Sequence, residues 1–186
     1  MKVLLLDSFD SFTYNLFHYL EALGCDVQVA RNTEISLKEI AAFDKIVLSP
    51  GPGLPKDSGI LMDLLAEYAA KKPILGVCLG MQAIALHFGG SLYNLPQVKH
   101  GVAEIAIQQT ESILFEGVPA RFEVGLYHSW AVDASTAPDL KATVLSENGI
   151  LMALEHDTLP VYAVQFHPES ILTPAGKKIL ENFISI

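Results

Sequence analysis

The sequence predicts an α/β fold: a doubly wound, mostly parallel central sheet with helices on both faces and an antiparallel strand extension. Three observations carry this. Short runs rich in Val, Ile and Leu alternate with segments of helical period through the first half of the chain, the pattern of a parallel sheet covered on both faces. After Gly89-Gly90 the helices thin out and alternating segments take over, as in an antiparallel extension. At 186 residues, 51% hydrophobic and only 18% charged, the chain has apolar material for a full core without disulfides or metals, which argues against disorder.

The elements follow in order. Val3 to Leu6 is an unbroken apolar run and reads as the first strand; Thr13 to Leu23 has helical period and stops at Gly24. Val27 to Ala30 is the second strand and Lys45 to Ser49 the third, closed by Pro50. Ile60 to Lys71 is a helix, Ile74 to Val77 a buried fourth strand, and Met81 to Phe88 the helix it enters. Ala103 to Gln108, Lys141 to Leu145, Leu151 to Glu155 and Val161 to Phe166 read as strands, and a helix from Thr173 or Pro174 to Ile184 follows. No repeat, low-complexity tract or linker interrupts the series, so a single domain over 1–186 is expected.

Charge and cysteine use narrow the function. With 12 Lys+Arg against 21 Asp+Glu the net charge is −9, without a basic cluster, which speaks against nucleic acid and anionic membranes as partners. Two cysteines, Cys25 and Cys78, are too few for a disulfide framework, and the six histidines lack ligand spacing, so no metal site is expected. The run Val3 to Leu6 is too short for a signal peptide, and the apolar stretch Pro73 to Gly90 is broken by Gln82, His87 and glycines. A cytoplasmic protein is expected.

In open sheets of this kind chemistry gathers in loops at the carboxyl ends of strands. Gly76-Val77-Cys78-Leu79-Gly80 has the G-x-nucleophile-x-G form between a predicted strand and a predicted helix. A thiol there sits at a helix N-terminus, where amides and dipole favour thiolate; the competing reading makes Cys78 a small buried hydrophobe. A thiol nucleophile needs a proton carrier. His167 ends the strand Val161 to Phe166, and Pro168 biases it to extended geometry, so Glu169 projects to the same side and can accept the imidazole N–H. Taken alone, His167 and Glu169 read as a strand-terminal histidine and a solvated carboxylate; beside a cysteine elbow they read as its partners. The loop Ser49-Pro50-Gly51-Pro52-Gly53-Leu54-Pro55 offers backbone amides near the elbow, for an oxyanion rather than a phosphate. In Asp7-Ser8-Phe9-Asp10-Ser11-Phe12-Thr13 the carboxylates permit a Mg²⁺ reading, but capping of the next helix by Asp10, Ser11 or Thr13 is the stronger one.

Assembled in order, Asp10-Ser11-Phe12-Thr13-Tyr14-Asn15, Ser49-Pro50-Gly51-Pro52-Gly53, the cysteine elbow with Gln82, Phe88-Gly89-Gly90, His100-Gly101, Tyr127-His128-Ser129 and Gln165-Phe166-His167-Pro168-Glu169-Ser170 resemble the class I, or triad, glutamine amidotransferases. Within them the chain looks like the glutaminase component, component II, of anthranilate synthase and of aminodeoxychorismate (para-aminobenzoate) synthase. The resemblance implies a flavodoxin-like sheet and a Cys78, His167, Glu169 triad that hydrolyses L-glutamine through a cysteinyl thioester. It implies an oxyanion site from the backbone amides of Gly51 and Leu79, and a glutamine site from Gly51, Pro52, Gly53, Gln82, Ser129 and Trp130. No cofactor and no metal is implied. A separate chorismate-binding synthase component I is implied as partner and recipient of ammonia. Met81, Leu126, Trp130 and Val102 depart from the pattern of that branch. Other readings are the glutaminase of a different triad amidotransferase, a cysteine hydrolase, whose base would follow the elbow closely where His87 instead reads as a buried helix residue, or a silent regulatory subunit.

Overall fold

The computed structural model describes residues 1–186. Its first half alternates as expected, with one short helix, α2, added where the sequence reading has none: β1 (Lys2–Asp7), α1 (Thr13–Ala22), β2 (Asp26–Arg31), α2 (Leu37–Ile40), β3 (Lys45–Leu48), α3 (Leu61–Tyr68), β4 (Ile74–Val77) and α4 (Leu79–His87). Then come β5 (Ser91–Asn94), β6 (Val102–Gln108), β7 (Arg121–Leu126), β8 (Trp130–Asp133), β9 (Leu140–Ser146), β10 (Leu151–His156), β11 (Val161–Val164) and α5 (Gly176–Ser185). Nine strands form one sheet in the order β2-β1-β3-β4-β11-β10-β9-β6-β7. The pairings from β2 through β11 are parallel and the remaining ones antiparallel. This is an α/β fold with a mostly parallel central sheet, as the sequence predicts.

The pleat divides the core. Leu4 and Leu6 of β1 join one apolar cluster with Leu61, Leu64 and Leu65 of α3 and Ile84 of α4. Val3 and Leu5, one residue out of phase, join the other with Leu16 and Leu20 of α1 and Ile179, Leu180 and Phe183 of α5. Burial on both faces explains why β1, β3 and β4 are unbroken apolar runs.

Several boundaries differ from the sequence reading. β11 stops at Val164, because the β4 ladder ends where Cys78 N–H donates to Val164 O (2.8 Å). α4 begins two residues before Met81, at Leu79, since Cys78 alone makes the turn. α5 begins only at Gly176, as Thr173 is engaged elsewhere: its hydroxyl donates to His167 O (2.7 Å) and accepts from Gly125 N–H (2.9 Å). The N-cap of α1 is Phe12, with no side-chain cap, so the expected capping by Asp10, Ser11 or Thr13 does not form. The edge strand β7 and the ribbon of β5 with β8 lie in a stretch left unassigned from sequence. No helix is long and apolar enough to cross a membrane.

Candidate active site

Cys78 stands at the carboxyl end of β4 with φ 52° and ψ −100°, a left-handed backbone that a side-chain-bearing residue adopts at a cost of about 1–3 kcal/mol. Glycine neighbours make the turn possible. A Cβ on Gly76 would lie 2.6 Å from the Gly80 backbone, and one on Gly80 would lie 2.7 Å from Leu48 O. The sulfur is buried at the first turn of α4 and accepts a hydrogen bond from Gln165 Nε2 at 3.4 Å.

His167 lies beyond β11, next to β4 in the sheet, and its N–H donates to Gly125 O of β7 (3.0 Å). Its Nδ1 meets Glu169 Oε1 at 2.7 Å, with both side chains buried. A carboxylate accepts, so Nδ1 carries the proton and Nε2 is the end free to exchange one. Burial pulls the imidazole's proton affinity down, but the nearby Cys78 sulfur and the hydrogen-bonded Glu169 carboxylate outweigh it and push the pKa up to about 10. Nε2 itself has no hydrogen-bond partner of good geometry, as catalytic contacts often lack before the reactive complex forms. Tyr127 and Phe12 pack edge-on to the ring, with centroids 4.8 and 5.9 Å away, and shelter it from water.

The Gly51 loop abuts the elbow. A Cβ on Gly51 would lie 2.7 Å from Leu79 Cδ2 and 2.6 Å from Ser8 O. Gly51 N–H makes no backbone hydrogen bond, and Leu79, first residue of α4, has no acceptor within its helix. Two amides beside the sulfur are therefore available to an oxyanion. A cavity of about 220 Å³ opens there, lined by Gly51, Pro52, Gly53, Cys78, Gln82, Tyr127, His128, Ser129 and Trp130, small enough for an amino acid. Gln82 Nε2 donates to Trp130 O (3.2 Å) and Gln165 Oε1 (3.4 Å). A wider opening of about 370 Å³ also borders Cys78 and includes Phe9, Asp10, Phe12, His100 and His167. The largest cavity, about 710 Å³, lies at the opposite end of β11 near Tyr162 and Glu155, away from all of these groups.

Every residue singled out for the site therefore falls in this neighbourhood; of the other candidates Asp10 also borders the wider opening, but its carboxylate is used within its own loop, and His87 lies elsewhere. Asp7 Oδ1 accepts from Phe9 N–H, Asp10 N–H and the Thr13 hydroxyl, and Asp10 Oδ1 accepts from Phe12 N–H, so both carboxylates fold their own loop. His87 is the last residue of α4, a helix length from Cys78, and packs on Phe88 with ring centroids 4.7 Å apart. Cys25 is core packing, with burial pushing its thiol up. Of the departing positions, Met81 and Leu126 are wholly buried in the core, Val102 is on the surface, and Trp130 lines the cavity. Sequence reasoning missed roles for Gln165, Phe12 and Tyr127. All three stand in the motifs that carry the family resemblance, and Gln165 is also marked as a polar side chain inside the apolar run Val161 to Phe166.

Comparison with known proteins gives a consistent picture. The family model described as glutamine amidotransferase class-I matches residues 4–186. Anthranilate synthase component 2 of Azospirillum brasilense is 44% identical over 187 residues, covering 98% of this chain and 95% of that one. Aminodeoxychorismate synthase of Streptomyces griseus is 47% identical over 189 residues, 98% of this chain but 26% of that longer one. A solved structure from Thermoplasma acidophilum, described provisionally as part of a GMP synthase, superposes with a TM-score of 0.90 at 28% identity, covering 100% of this chain and 92% of that one.

Proposed function

The chain belongs to the class-I glutamine amidotransferases, and from that membership we propose that it is the glutaminase subunit of a chorismate-using synthase. The observation that carries the chemistry is the Cys78 elbow beside a buried His167–Glu169 pair at 2.7 Å. In this reading residues 1–186 act as one amidotransferase domain. The Cys78 thiolate attacks the side-chain carbonyl carbon of L-glutamine, and the amides of Gly51 and Leu79 hold the oxyanion. His167 takes the thiol proton and returns one to the departing ammonia, while Glu169 keeps its Nδ1–H in place. Water activated by His167 then hydrolyses the γ-glutamyl thioester to glutamate. Gln82, Ser129, Trp130 and the Gly51-Pro52-Gly53 backbone hold the substrate.

Ammonia released into neutral water takes up a proton and ceases to be a nucleophile, so its acceptor must sit close by. The names of the relatives supply the acceptor's chemistry: one is a component 2 of anthranilate synthase, and the other is an aminodeoxychorismate synthase of which this chain matches about a quarter. A chorismate-binding component I is the partner we propose. Exposed Phe9 and Ile171, on the loops after β1 and β11, give it an apolar surface beside the site. Two buried free thiols fit a cytoplasmic enzyme.

Reconstitution tests this. With glutamine, chorismate and component I of either synthase, glutamate release is expected to rise and the amine product, anthranilate or aminodeoxychorismate, to identify the partner. No stimulation and no product with either component would contradict the assignment.

A further inference from the structure

We propose that Gln165 is a positioning residue for the Cys78 sulfur: its side-chain N–H holds the sulfur as an aimed thiolate, and Gln82 fixes the direction of that bond. The proposal rests on reading Cys78 as the nucleophile. Gln165 is fully buried, in a run otherwise made of Val161, Tyr162, Ala163, Val164 and Phe166. A carboxamide there loses its hydration and is tolerated only where both ends are bonded. Both are. Nε2 donates to Cys78 Sγ at 3.4 Å, and Oε1 accepts from Gln82 Nε2 at 3.4 Å.

The orientation is over-determined. Trp130 O can only accept, so the Gln82 end facing it, 3.2 Å away, is the NH₂. That same NH₂ meets Gln165 Oε1, which leaves the Gln165 NH₂ for the sulfur. A flipped Gln165 would set NH₂ against NH₂ and a carbonyl oxygen against sulfur lone pairs. The ionisable groups around the sulfur are His167 and Glu169 after β11, Tyr127 and His128 between β7 and β8, and Asp10 and His100 at the wider opening. Unlike these, a carboxamide does not titrate. Gln165 therefore keeps hold of the sulfur while His167 gives and takes protons, and Gln82 connects that hold to the cavity proposed for glutamine.

The test is alkylation of Cys78 by iodoacetamide in the full chain, read on the Cys78 peptide by mass spectrometry. Gln165→Met keeps the bulk and removes the donor. Its alkylation is expected to be about tenfold slower at pH 7, the loss of one hydrogen bond to a charged group, and to converge with the unaltered protein at alkaline pH. Turnover of glutamine should fall in kcat more than KM rises. Equal rates at pH 7, or a deficit unchanged at alkaline pH, would overturn the proposal. Cys78→Ala run alongside separates the two readings: glutamate release by that variant defeats the nucleophile, whereas its silence with normal alkylation of Gln165→Met defeats only Gln165. If Gln165→Met does not fold, the Gln165 side-chain amide protons of the unaltered protein are expected to shift when the thiol ionises, and protons that stay put would overturn the proposal equally.

Discussion

Burial by itself weakens an imidazole's hold on a proton, yet His167 keeps its proton up to about pH 10 because Cys78 and Glu169 outweigh the lost hydration. Removing the carboxylate charge should reverse the balance. In Glu169→Gln, the His167 ring is expected to lose its proton at lower pH by NMR titration, and glutamine turnover to fall about 10²–10⁴-fold. Because the folded value, about 10, lies above the roughly 6.5 of an unfolded histidine, the fold binds the proton more tightly than the unfolded chain does. The stabilisation from His167 is thus full below about pH 6.5 and is lost as pH climbs towards 10; urea unfolding across that window should show it in the unaltered protein and lose much of it in Glu169→Gln. Cys78, His167 and Glu169 were legible in the sequence because each sits in a short motif whose local geometry is set by its neighbours. Gln165 was not, since its role depends on a contact with Cys78 across 87 residues.

The elements that hold Cys78, His167 and Glu169 are positioned by close backbone approach, and Gly176 is the sharpest case. A Cβ there would lie 1.8 Å from Pro168 O, in the loop that carries His167 and Glu169. In an ordinary exposed helix, exchanging Gly for Ala gains up to about 1 kcal/mol. Here the clash should win: Gly176→Ala is expected to destabilise the protein by about 1–3 kcal/mol in thermal unfolding and to lower kcat by displacing the imidazole. A gain in stability with unchanged kcat would show that α5 does not set the loop. The helix and strand order of the first half was readable because unbroken apolar runs and amphipathic segments differ in period. The boundaries at β11 and α5 were not, because ladder partners and the Thr173 hydroxyl decide them. The ribbon of β5 and β8 went unread because its four-residue strands, Ser-Leu-Tyr-Asn and Trp-Ala-Val-Asp, mix polar and apolar residues and lack the unbroken apolar run that marks the equally short β4.

Across the whole molecule, the parallel half of the sheet delivers the ends of β1, β3, β4 and β11 to one side, and the loops beyond them meet around Cys78. That half was legible because alternation of strand and helix admits few arrangements. The order β10-β9-β6-β7 was not, because antiparallel neighbours are chosen by long-range register. The same side carries Ile171, 91% exposed and beside the loop of His167 and Glu169. Ile171→Asp should leave glutamine hydrolysis by the isolated chain unchanged and weaken the stimulation proposed for component I; intact stimulation would move the proposed partner elsewhere. The central claim is that Cys78 forms the bond to glutamine, and glutamate release by Cys78→Ala with component I and chorismate tests it most directly. The expected result is loss of at least about 10³-fold in a variant that melts like the unaltered protein, with no γ-glutamyl adduct at position 78. Glutamate release at an undiminished rate would contradict it.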